Sequence, residues 1–117
     1  PSKLSKIHWT ERVQASGQMS KLSDDLYPRL RCLLSELKRD MAKSPEKMLE
    51  YEKAKHLTRD VVNSRLRKIV SIASAPAQTE QTLKNLTREE RLLYEQLRTL
   101  ISEWRSRILE FEEAPEE

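Results

Sequence analysis

The sequence predicts an all-α protein: a bundle of about four helices with one long central helix and a long C-terminal helix. Three observations carry that expectation. Among 117 residues only one is glycine, while 35% are charged and 37% hydrophobic, a composition that suits helices better than sheet and is too apolar for a disordered chain. Between Pro45 and Pro76 no helix breaker occurs, which leaves room for a helix of about thirty residues. Towards the C-terminus, Leu93, Leu97, Leu100, Ile101, Trp104, Ile108 and Phe111 recur at helical spacing, forming one apolar stripe roughly 100° wide.

Taken in order, Leu4, Ile7 and Val13 with Trp9 between them predict a short first helix over about Ser5 to Ala15, closed by Gly17, where a positive φ is easy. Ser23, Asp24 and Asp25 then offer an N-cap and negative charge at the positive end of a second helix dipole. Leu26, Leu30, Leu33, Leu34, Leu37 and Met41 give that helix its inner face, and Pro28 falls near its first turn, where a missing N–H costs little. Cys32 lies among leucines and reads as a buried small hydrophobe.

Ser44 followed by Pro45 marks the start of the long central helix. Its expected inner face is Met48, Tyr51, Ala54, Thr58, Val61, Val62, Leu66, Ile69 and Ala73, weaker before Val61 than after it. The half from Pro45 to about His56 is therefore expected to be more exposed, projecting or kinked, and the half from Val61 to Ala73 to be firmly packed. Pro76 ends the helix, and the polar stretch from Gln78 to Asn85 has room for one turn around Glu80 to Lys84. Thr87 with Glu90 forms a capping box that opens the last helix, which should run to about Phe111, about 36 Å. Short connections between long amphipathic helices predict a mostly antiparallel arrangement. Trp104→Asp is the substitution expected to disrupt it most.

Charge and motif content narrow the function. With 22 basic and 19 acidic side chains the net charge is +3, too slight an excess for strong attraction to nucleic acid. No apolar run approaches the ~18 residues of a membrane span, and no signal peptide is recognisable, so an intracellular protein without membrane contact is expected. The single glycine excludes Gly-rich phosphate loops. No nucleophile and base are spaced as a hydrolase requires, and no catalytic, cofactor or metal residues are assigned. His8 lacks partners at a ligand spacing, and Glu52 with His56 reads as a surface pair one turn apart. Arg59, Arg65, Arg67 and Lys68 are the densest basic group. Arg65 and Lys68 fall near one another and, with Arg59, are weak candidates for facing nucleic acid. Leu-Thr-x-x-Glu before a leucine-rich helix also opens the helix-turn-helix of DNA-binding transcription regulators, the alternative reading. That fold needs a turn about ten residues later, and from Leu97 to Phe111 the helical phase is unbroken.

Three segments, in order, resemble the helical A domain of GINS replication-complex subunits: Leu22 to Tyr27 followed by Leu30 to Leu37, Arg65 to Ile69 followed by Ala73, and Leu86 to Tyr94 followed by an uninterrupted helix. The resemblance spans nearly the whole chain. It implies a non-enzymatic replication factor without cofactors, a cytoplasmic, nucleoid-associated protein (nuclear in a eukaryote). It further implies a homo- or heterotetramer with other GINS subunits that scaffolds the MCM helicase and a RecJ-like partner at the fork. Polymerase or primase contacts, and weak or indirect DNA contact, belong to the same implication. A helical domain over residues 1–111 followed by an acidic tail, 112–117, is similar to the archaeal-type class in which a β-rich B domain comes after the A domain, and the tail is expected to begin the linker to such a domain, missing from this sequence. The apolar residues expected at subunit interfaces are Leu4, Ile7, Trp9, Leu97, Trp104, Ile108 and Phe111.

Overall fold

The computed structural model describes residues 2–13, 19–76 and 80–110, and every regular element among them is helical. Helix α1 spans Ser2–Val13, α2 Leu26–Asp40, α3 Pro45–Ser74, α4 Glu80–Lys84 and α5 Arg88–Ile108, with a 3₁₀ turn over Met41–Lys43 between α2 and α3. The all-α expectation holds, with its long central and C-terminal helices. Helix α1 begins a turn earlier than the spacing suggested. Gly17, Phe111 and the tail 112–117 lie outside the described residues.

Two of the three expected caps form; at the start of α2, Asp25 stands at the N-cap but its side chain makes no capping hydrogen bond, accepting instead from the Ser23 hydroxyl. Ser44 Oγ accepts from the Lys47 amide at 3.1 Å, and Pro45 occupies the first turn, where its missing N–H leaves no gap. Thr87 Oγ1 accepts from the Glu90 amide at 3.2 Å while Glu90 Oε1 accepts from the Thr87 amide at 2.9 Å, completing the capping box. At the far end of α3 the carbonyls of Ala75 and Ser74 accept from Arg98 and Arg105 of α5, at 2.9 and 2.8 Å. Those arginines satisfy acceptors that no further helical turn reaches.

Helix α3 is the spine: the backbones of α1, α2 and α5 each lie against it and approach one another far less. His8 sits opposite Asp60, and Glu11 opposite Ser64 and Lys68, so α1 runs parallel to α3. Helix α2 turns back through the 3₁₀ turn and is antiparallel to α3. Helix α5 departs from the antiparallel expectation, because Glu90 lies beside Arg65 and Arg98 beside Ala75, so both helices run the same way. The connection after Pro76 carries the chain back along the spine before α5 starts.

Two apolar clusters result. One joins Leu4 of α1, Leu26 and Leu30 of α2, and Ala54 and Val61 of α3. The other joins Ile69, Ile72 and Ala73 of α3 with Met19, Leu86 and Tyr94, and Leu93, Leu97 and Ile101 pack against it. Of the stretch from Pro45 to His56 expected to be exposed, Pro45 to Glu50 is so, but Ala54 is buried in the first cluster, because α2 packs back against this part of α3. Because α5 runs on beyond the end of α3, the molecule is elongated, 72 × 25 × 21 Å.

The buried face of α3 is rotated from the expected one by roughly 60°, at 100° per residue. Met48, Val62 and Leu66 are exposed, while Arg65 and Lys68 point inward. Cys32, expected in the core, is exposed, and its thiol approaches Glu36 at 3.6 Å. It sits on the outer side of α2, which no helix among the described residues covers.

Candidate functional site

Between the two clusters lies a charged cluster sealed from water. Arg65 is 0% exposed, and its guanidinium spreads over both sides of the molecule. Its Nε and Nη2 donate to the two oxygens of Glu90, at 2.8 and 2.6 Å, the paired geometry in which a planar guanidinium matches a carboxylate. Its Nη1 donates to Glu11 Oε2 at 3.1 Å and to the carbonyl of Ser20 at 2.8 Å, and Nη2 also reaches the carbonyl of Asn85 at 3.4 Å. Lys68 Nζ donates to the other Glu11 oxygen at 2.8 Å. Two cations thus face two anions, and each anion comes from a different helix.

Glu90 does double duty. The side chain that closes the α5 cap also anchors Arg65 and accepts from the Tyr27 hydroxyl of α2. Burial alone pushes the Glu90 carboxyl up. The hydrogen bonds and charge of Arg65, with help from Tyr27 and the Thr87 amide, more than offset this and hold it below the usual carboxylate range. Arg65 is likewise held charged: burial disfavours its cation, and Glu90 and Glu11 outweigh that cost. Burial and the adjacent Glu90 charge raise the Tyr27 hydroxyl well above its ordinary value, so it stays a neutral donor.

The expectation that Arg65 and Lys68 face nucleic acid is therefore corrected. Both are buried and committed to carboxylates, because helix spacing places them on the same face as Val61, Ile69 and Ile72. Of the basic candidates only Arg59 is exposed. Asn85 donates its side-chain amide to the carbonyl of Met19 at 2.7 Å, bringing the connections before α2 and before α5 together over the guanidinium.

The interface candidates divide. Leu4 is buried and Ile7 half-buried in the N-terminal cluster, and Leu97 packs against the C-terminal one, so these three support the fold of the chain itself. Trp9, Trp104 and Ile108 are 66%, 55% and 52% exposed. Trp104 and Ile108 share the inward stripe of α5, yet no helix among the described residues lies beside them, since α3 stops at Ser74 next to Arg105. Phe111 lies outside the described residues. Leu100 at the stripe's edge is exposed as well.

Of the two histidines only His56 departs from its sequence reading. His8 Nε2 lies 3.0 Å and His56 Nε2 3.4 Å from Asp60 Oδ2, pinning α1 to the spine, while Glu52 pairs with Lys55 instead of His56. Among the described residues no group of three or more His, Cys, Asp and Glu stands where it could hold a metal ion. No helix among them is long and apolar enough to cross a membrane.

The charged cluster could be found in the sequence only through its spacing. Arg65 falls in phase with Val61, Ile69 and Ile72, but its partners are 54 and 25 residues away. A family model described as Sld5, the GINS complex protein helical bundle domain, matches residues 1–109. No match is found among curated proteins or among solved structures.

Proposed function

The chain belongs to the GINS family of DNA replication complex subunits, and from that premise we propose that this helical domain works as an assembly scaffold, presenting uncovered apolar helix faces to sister GINS subunits. The observation that carries the proposal is the end of α5, where Trp104 and Ile108 stand exposed past the end of α3, with Leu100 exposed at the edge of the same stripe. Large apolar side chains clustered on one helix end are a burden in water and are relieved by a partner. Trp9 on α1 offers a second contact point at a distance from the first, which suits an assembly with more than one neighbour.

Assembled into a homo- or heterotetramer, the domain would help hold the MCM helicase and a RecJ-like partner at the fork, with polymerase or primase as further neighbours. DNA contact in this reading is weak or indirect, and the burial of Arg65 and Lys68 supports it. Unbroken α5 likewise supports it over a helix-turn-helix regulator, which needs a second helix after a turn.

Sedimentation velocity tests the reading with the chain alone, with sister GINS subunits, and with duplex DNA at low and high salt. The expected result is a discrete complex with the sister subunits and little DNA binding. A monomer that ignores those subunits and binds duplex with steep salt dependence would overturn it.

A further inference from the structure

We propose that the valley between α3 and α5 is a docking groove for an amphipathic helix of a partner subunit, one that brings an arginine or lysine against Glu89. The proposal rests on the scaffold reading above and names the chemistry of one of its contacts. Val62, Leu66 and Val70 fall one turn apart on α3 and are 38%, 42% and 42% exposed, although they are large apolar side chains beside the core. With Leu93 of α5 opposite and Tyr27 and Ile69 also in the lining, Val62 and Leu66 border a hollow of about 180 Å³. Two parallel helices leave between them a groove of the kind into which ridges of a third helix pack.

The sign of the partner's charge comes from Glu89, which lines the same hollow. Its Oε1 is shut off from water and has no hydrogen-bond partner, while Glu90 beside it is fully engaged. A buried carboxylate oxygen left without a donor is costly. Nearby Arg65 cannot supply the donor, since Glu90, Glu11 and two backbone carbonyls occupy its guanidinium. The Glu89 side chain as a whole is half-buried, so its negative charge favours a cation laid over the hollow, whereas an acidic helix or a phosphate backbone adds repulsion. The complement is a helix with leucine-type side chains every three or four residues, flanked by basic ones. Arginine suits the position best, because its apolar stem lies along Leu66 and Leu93 while its planar head reaches the carboxylate.

The test uses two synthetic helical peptides with the same leucine face, one flanked by arginines and the other by glutamates. Binding to the wild-type chain, to Glu89→Gln and to Leu66→Asp is measured by fluorescence anisotropy, with circular dichroism to confirm that the variants remain folded. The arginine peptide should bind the wild type, about tenfold more weakly to Glu89→Gln, and undetectably to Leu66→Asp; the glutamate peptide should not bind. Equal binding of the two peptides, or an arginine peptide indifferent to both substitutions, would overturn the groove. Assembly with sister subunits is followed in parallel. Complex formation unaffected by Leu66→Asp and Glu89→Gln counts against the groove and leaves the scaffold standing. Specific arginine-peptide binding by a wild-type chain that joins no sister subunit does the reverse.

Discussion

The two apolar clusters are built from similar side chains but held in different ways. The N-terminal one is enclosed by α1, α2 and α3, and α2 and α3 are joined by a tight turn that returns the chain directly onto itself. The C-terminal one depends on pieces distant in sequence, Met19 and Leu86 among them, and on a helix that runs parallel to the spine after a long return. Local connection suffices for the first; the second needs a lock. Arg65 supplies it, taking Glu11 from the α1 side and Glu90 from the α5 side, so that neither cluster can shift along α3 without unpairing a buried charge.

Breaking that lock should give the largest effect. Arg65→Ala leaves two buried carboxylates facing each other, with Lys68 as the remaining cation, and should cost roughly 3–5 kcal/mol in chemical denaturation. Hydrogen exchange sharpens the comparison: α5 should lose protection more than α2, since the C-terminal cluster has no tight turn to fall back on. Equal loss in both would mean that the lock serves them alike.

Acid probes the same joint more gently. Because the folded Glu90 carboxyl is held below its unfolded value, its contribution is fully present above the unfolded pKa and disappears as pH falls through the lower, folded one. Thermal unfolding followed from neutral to strongly acidic pH should show that loss, and Glu90→Gln should be less stable at neutral pH with a flatter acid limb. A smaller effect is expected at the cap. Thr87→Ala removes one capping hydrogen bond but leaves the Arg65 pair, and should cost about 1 kcal/mol.

Much of this was legible in the residues. Ser44 with Pro45, and Thr87 with Glu90, marked two helix starts, because capping is a local property of a few neighbouring residues. The exposure of Pro45 to Glu50 followed from the thin apolar pattern of α3 before Val61, although that pattern missed the burial of Ala54. What periodicity could not disclose was how far a neighbouring helix extends. Trp104 lies on the stripe that Leu93, Leu97 and Ile101 bury, and its exposure depends on α3 ending at Ser74 beside a parallel α5. It follows that Trp104→Asp is not the most disruptive change for the chain's own fold. The inward turn of Arg65 and Lys68 was hidden for a related reason: a basic side chain in a helix reads as solvated until its carboxylate partners, brought by other helices, are known. Cys32 shows the converse, an apolar neighbourhood in sequence that falls on the open side of α2.

In the proposed assembly α5 divides its apolar stripe, with Leu97 and Ile101 holding the chain together and the exposed Trp104 and Ile108 left to hold other subunits. The double variant Trp104→Ser, Ile108→Ser tests this directly when its unfolding free energy and its assembly with sister GINS subunits are measured on the same sample. Stability should stay within about 0.5 kcal/mol of wild type while the complex is lost. A variant that is strongly destabilised yet still assembles would contradict the account.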